Sequence, residues 1–388
     1  MKITDVTVIT ASYATDDDPP TRRSFAVLKV DTDEGIVGWG EASDCYGHRH
    51  PRMVQALFDE DLRFALLGHD PRESDELMPR LWHRMHATLG AREIVSGALS
   101  AVEMALWDAA GKADGVSVGE RLGRRRDSVP VYSAGKPALS GDADFHLAFL
   151  QPVLDRGATA AKIRPGRGLE WDAQFVRDMR DLLGDDVTML VDGKYNYFPE
   201  TAARLADVLG EVGAHCFEEP IIDTDLTAIA ALAERSPVPL AYGEHAFGVI
   251  GFRELIEHGV GVLEPDVAVC GGFTAAAGIA WLIADSGREI VPHVGGLTAI
   301  GFAANLHFAA SLAHDAWFEY DARVHQPLRD DLAAGAPFAL DRIDEGRLPV
   351  PTGPGLGVEI DEEVFAAHPY LVDGELLAPF RRYGTPHL

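Results

Sequence analysis

From Val129 onward the chain repeats one pattern: a short apolar run, then a stretch with apolar residues at three- and four-residue steps. The runs are "VPVYSAG", "AAKIRPG", "VTMLVDG", "AHCFEEP", "VPLAYGE", "VGVLEPD", "EIVPHVG" and "WFEYD", eight in all. Stretches such as "DADFHLAFLQPVLDRG" and "PETAARLADVLGEVG" lie between them and carry helical periodicity. Alternating strands and helices imply a parallel sheet flanked by helices. Eight such units match a (β/α)8 barrel. A doubly wound open sheet is the structural alternative, but no G-x-G-x-x-G follows the first run to support it.

The first third is patterned differently. "KITDVTVITA" and "FAVLKVDTDEGIVGWGE" read as antiparallel strands with a glycine-containing turn. The polar, proline-bearing "ATDDDPPTRRS" reads as a loop. "REIVSGALSAVEMALWDAAGKADG" has the period of a long helix. This predicts an α+β domain over residues 1–126, the barrel over 127–352, and a tail over 353–388 whose "PGLGVEIDEE" returns to the first domain.

In a barrel of this kind the chemistry sits at the C-terminal ends of the strands. Here the second run ends with Lys162 and Arg164, the third with Asp192 and Lys194, and the fourth with Glu218 and Glu219. The fifth ends with Glu244, the sixth with Asp266, the seventh with His293 and the eighth with Glu319. One acid at a strand end ordinarily caps a helix or faces water. Seven consecutive strands with ionisable ends are hard to explain that way. Asp192, Glu218 and Glu244, from three adjacent strands, would repel one another unless a cation lay between them, and hard oxygen ligands without cysteine favour Mg²⁺. Glu219 points to the opposite face from Glu218, as its neighbour. Asp266 and His293 can pair, the carboxylate fixing the imidazole tautomer and raising its basicity.

Composition narrows the classes further. A formal charge of −27 over 388 residues argues against nucleic acid or an anionic membrane as partner. Three distant cysteines (Cys45, Cys216, Cys270) form no C-x-x-C pattern, so neither a disulfide framework nor a zinc site is expected. "MKITDVTVITASY" is too short and polar for a signal peptide, and no run reaches the length of a membrane span, which predicts a soluble, cytoplasmic protein. The chain has only six lysines, which makes Lys162 and Lys194 at strand ends more informative.

The order and spacing of "GIVGWGEA", "ALSAVEMALWDAAGK", "FEEP", "YGE", "EPDVAVCGGFT", "PHVGG" and "GFAANLHFAAS" resemble the enolase superfamily, in its mandelate racemase-like branch of acid-sugar dehydratases and racemases. The resemblance implies a modified barrel closed by a capping domain built from the N-terminal third and the C-terminal tail. It implies one Mg²⁺ per active site on Asp192, Glu218 and Glu244, with His293 and Asp266 as the base dyad. Glu319 would be a protonated donor to the substrate carboxylate, and the enediolate would be stabilised by the metal. Relatives carry K-x-K on the second strand, whereas this chain has "AKIRPG". Arg164, with a pKa above ~12, is a poor base and a good carboxylate clamp, so two-base racemisation is in doubt. Lys194 then reads as an acid or electrophile for a leaving hydroxyl, or as a lysine compensating Asp192 or Glu218. Tyr46, His48 and Arg22 (with Arg23) fall where the family places specificity loops.

The leading expectation is dehydration of a sugar acid to a 2-keto-3-deoxy acid by a single-base route through His293. The alternatives are racemisation or epimerisation, with Lys194 or Lys162 as second base, and a non-catalytic metal-binding paralogue. Muconate-type cycloisomerisation is less expected, because those relatives place a lysine where this chain has Asp266. A small carboxylate substrate and a homo-oligomer complete the expectations.

Overall fold

The computed structural model describes residues 1–15, 22–43, 50–90, 92–137 and 141–372. The N-terminal sheet contains β1 (Ile3–Ala14), β2 (Arg22–Thr32) and β3 (Val37–Ala42), antiparallel in the order β1-β2-β3. The helix Glu93–Asp114 lies against β3. Its approach depends on "VGWGEA": a Cβ on Gly40 would overlap the carbonyl of Ala101, and one on Gly38 that of Ala105. The helix ends where Gly115 turns left-handed (φ 70°), a conformation glycine adopts without steric cost.

The eight apolar runs form eight parallel strands: β4 (Ser128–Pro137), β5 (Ala160–Arg164), β6 (Thr188–Asp192), β7 (Cys216–Glu218), β8 (Leu240–Tyr242), β9 (Val262–Leu263), β10 (Glu289–Ile290) and β11 (Phe318–Asp321). Hydrogen bonding runs β10-β9-β8-β7-β6-β5-β4-β11, and β12 (Arg347–Pro349) adds antiparallel to β4. Between β10 and β11 the contact is made by side chains: Val294 N–H donates to Glu319 Oε2 at 3.2 Å, and His314 Nε2 lies 3.2 Å from Ile290 O. This is the modified (β/α)8 barrel. β9 and β10 are two residues long because Pro265 and Pro292 soon follow and offer no N–H to a ladder.

Strand parity explains what fills the barrel. Tyr132, Ala134, Ala160, Leu190, Cys216, Ala241, Val262 and Val291 form one buried interior cluster, with Trp317 against it. Two residues on, on the same face, come Lys162, Asp192, Glu218, Glu264, His293 and Glu319. An apolar floor thus carries an ionisable layer.

Residues 354–372 include contacts with the N-terminal domain. Val118 N–H donates to Gly355 O, Leu356 N–H to Asp108 Oδ1, and Ala11 bridges Pro369. Buried His307 is bonded through Nε2 to Leu356 O at 3.0 Å, and its burial depresses its pKa to about 4. An unfolded histidine takes up its proton near pH 6.5, but the folded one does so only near pH 4, so this contribution is complete above about pH 6.5 and lost as pH falls toward 4. Over that window it amounts to roughly 3 kcal/mol. Urea unfolding should therefore show the stability gap between wild type and His307→Gln shrinking as pH is lowered from 7 to 4. A pH-independent gap would refute this.

Candidate active site

The strand ends converge on a buried charged cluster. Lys162 Nζ lies 3.0 Å from Glu218 Oε1 and 3.0 Å from Glu319 Oε1. Arg164 Nε donates to Asp192 Oδ2 at 2.8 Å, its Nη2 to Glu319 Oε1 at 3.2 Å, and its Nη1 to Gly135 O. Lys194 Nζ is 3.3 Å from Asp192 Oδ2 and 3.6 Å from Glu244 Oε1. His293 Nδ1 is 3.0 Å from Asp266 Oδ2, while its Nε2 is 3.0 Å from Glu244 Oε2 and 4.0 Å from Glu319 Oε2. Asp192, Glu218, Glu244, Asp266, His293 and Glu319 are all buried. Backbone strain gathers here too: Lys194, Tyr195 and Glu219 are non-glycine residues at φ 47°, 57° and 40°.

Three neighbours were not predicted as site residues. Glu264 shares the inward face with Val262 and Asp266, so its role was readable from strand period but masked by the attention to the strand's last acid. His245 Nδ1 lies 2.5 Å from Tyr195 Oη and 3.3 Å from Glu219 Oε1, and no motif in the chain marks either ring. Glu219, Glu244 and His245 bring ligand atoms within 4.8 Å of one another. Glu219 therefore backs Glu244 from the outer side of the strand, where a cavity of about 210 Å³ is lined by Glu219, His245, Asp223 and Phe247.

The electrostatics show an excess of acid. Burial, then Asp192, raises the Glu218 carboxyl to about 7; burial, then Glu244, raises Glu219 to about 8; Glu264 is pushed up strongly by burial and Glu218. Desolvation opposes charge on Asp192 and Glu244, but Lys194 beside both holds them below the usual carboxylate range. Desolvation also opposes the charge of Lys162 and Lys194, yet their carboxylate partners raise both above the ordinary lysine value. His293 is likewise raised, Glu244 and Asp266 outweighing its burial.

Glu319 is expected as a protonated donor; in this structure, against its desolvation, Lys162, His293 and Arg164 lower its pKa, and Lys162 and Arg164 lie beside it as donors.

The loop candidates divide. Tyr46 and His48 lie outside the described residues. Arg22 turns toward the C-terminal segment, donating to Leu371 O at 2.5 Å with its guanidinium 5.0 Å over Tyr370. Arg23 reaches the barrel mouth, bonding Asp321 Oδ2 at 3.2 Å and crowding Gly296 in the loop after His293.

The residues fit a divalent cation. Among the described residues, seven buried carboxyls (Asp192, Glu218, Glu219, Glu244, Glu264, Asp266 and Glu319) face the basic side chains of Lys162, Arg164 and Lys194 and the imidazoles of His245 and His293. Glu218 Oε2 is buried with no hydrogen-bond partner, an acceptor that a cation would satisfy.

The class is that of a capped, modified (β/α)8 barrel with buried carboxyls gathered at its strand ends. Residues 8–123 match the model of the mandelate racemase/muconate lactonizing enzyme N-terminal domain, and residues 147–364 match that of the enolase C-terminal domain-like family. The chain belongs to the mandelate racemase/muconate lactonizing enzyme branch of the enolase superfamily. It is 33% identical to the D-galactarolactone cycloisomerase of Agrobacterium fabrum over 88% of this chain and 90% of that one. It is 32% identical to the arabinonate dehydratase of Saccharolobus solfataricus, covering 88% and 89%. A racemase from Streptomyces coelicolor A3(2) with bound magnesium superposes with a TM-score of 0.84 at 26% identity, covering 94% of this chain and 99% of the other. Among the described residues, no helix is long and apolar enough to cross a membrane.

Proposed function

We propose that this enzyme dehydrates a sugar acid, removing the proton alpha to its carboxylate through His293 and releasing the β-hydroxyl as water to give a 2-keto-3-deoxy acid. The observation that carries this reading is the His293–Asp266 pair at 3.0 Å, set beside a buried acid cluster that lacks balancing positive charge. Asp192, Glu218 and Glu244 would hold Mg²⁺. Bound there, the ion would supply Lewis-acid charge to the substrate carboxylate and compete with His293 Nε2 for Glu244.

The chain's own residues provide the rest. Asp266 keeps the proton on Nδ1, so Nε2 is the atom that takes the substrate proton. Lys162 and Arg164 are fixed cations where negative charge develops on the substrate carboxylate. Neither serves as a second base: Arg164 stays charged at any working pH and Lys162 keeps Glu319 at 3.0 Å, whereas an ion taking up Glu244 would release His293 Nε2. This favours one-base elimination over two-base racemisation. Lys194, 3.3 Å from Asp192, is the acid for the departing hydroxyl.

The cycloisomerase among the relatives supports a second reading. Elimination of a ring oxygen uses the same proton abstraction and differs only in a leaving group that stays tethered.

The test is incubation with Mg²⁺ in D₂O and a panel of mono- and diacid sugars and their lactones. Dehydration gives a 2-keto acid with loss of water. Deuterium exchange without loss of water selects racemisation, and lactone rearrangement selects cycloisomerisation. No exchange with any member would overturn the proposal. In Lys194→Ala, α-proton exchange should persist while dehydration falls about 100-fold; near-normal dehydration removes the role given to that lysine.

A further inference from the structure

The N-terminal domain is tied to the base dyad through one helix of the barrel, Ala299–Ser311. Glu41, at the end of β3, is buried and accepts from Thr298 N–H at 3.0 Å, Thr298 Oγ1–H at 2.5 Å and Gly301 N–H at 2.9 Å. A carboxylate from the cap thus satisfies backbone donors left open at the start of a barrel helix. Residue 301 has little room for more than hydrogen, since a Cβ there would come within 2.8 Å of Glu41 Oε2.

One turn further on, the same helix carries Asn305, a fully buried amide in the otherwise apolar "AIGFAANLHFAAS". A buried amide is costly unless its donors and acceptor are used. Here they are used. Nδ2 donates to Asp266 Oδ1 at 2.9 Å and to Gly301 O at 3.2 Å, and Oδ1 accepts from Val267 N–H at 2.9 Å. Ala268 N–H also donates to Asp266 Oδ1, at 2.8 Å. With Oδ1 held from two sides, Asp266 presents Oδ2 to His293 Nδ1.

We infer that Asn305 is a positioning residue for the His293–Asp266 pair, and that Glu41 sets the height of its helix, so that cap docking and dyad alignment form one structural unit. This rests on the reading of His293 as the base. The hydrogen bond itself can be observed without a substrate.

In the full-length protein with Mg²⁺ present, the proton on His293 Nδ1 should give a far-downfield ¹H resonance, assigned by its loss in His293→Asn. Asn305→Leu, close in size but without donors, should lose or shift that resonance and lower kcat about 10- to 100-fold at nearly constant KM. Asn305→Ser, whose hydroxyl can still donate, should fall between wild type and Asn305→Leu in both readouts. Glu41→Gln should weaken the resonance without touching a residue of the dyad. An unchanged resonance in a folded Asn305→Leu protein overturns the inference, as does a kcat within twofold of wild type. If the leucine variant does not fold, the serine variant decides by the same criteria. Should the wild type act on no acid sugar, the proposed activity fails while the resonance still tests the positioning.

Discussion

His293→Asn is expected to cost about 10³-fold in turnover of the acid substrate and to abolish exchange of its α-proton into solvent. Asparagine can still hydrogen-bond Asp266, but it cannot accept a proton at the position of Nε2. Substrate affinity should stay within a few-fold of wild type, because Lys162 and Arg164 are unchanged, and Mn²⁺ affinity should not fall, because Asp192, Glu218 and Glu244 remain and the imidazole competing for Glu244 is gone. Solvent exchange followed by NMR makes the measurement. Exchange at the wild-type rate would show that another group is the base.

Glu218→Gln should reduce Mn²⁺ affinity by at least about 100-fold, since losing a charged ligand should exceed the effect of losing an outer partner. It should also change the pH dependence. In wild type, burial and Asp192 hold the Glu218 carboxyl at about 7, so an incoming cation must displace a proton from it. Affinity should therefore climb with pH through about 7 and flatten above, and the glutamine variant should lose that part of the slope. Titration by calorimetry across pH 6 to 8 tests both points. If Mn²⁺ binding survives in Glu218→Gln but is lost in Glu219→Gln, the ligands are instead Glu219, Glu244 and His245, the trio whose ligand atoms lie within 4.8 Å of one another.

Much of this architecture was legible along the chain. Every apolar run drawn in the barrel became a strand, because a parallel strand buried on both faces leaves a continuous apolar signature that helical segments do not share. The period of two placed Lys162, Asp192, Glu218, His293 and Glu319 above the floor of Leu190 and Cys216. The same period included Glu264, which went unread because Asp266 closes that run more conspicuously.

What the chain alone determined is which residues face inward: side-chain parity is a local property of an extended backbone, and it survives into any barrel these strands can close. The tertiary structure alone decided how those residues pair. The charge state of Glu319 depends on Lys162 and Arg164 approaching from β5, the seating of Glu244 on His293 Nε2 depends on the closing of the sheet, and the hold on Asp266 depends on an asparagine 39 residues away. Coulomb and hydrogen-bond terms change steeply over a few ångströms, and spacing along a sequence does not encode distances between strands that meet only when the barrel forms.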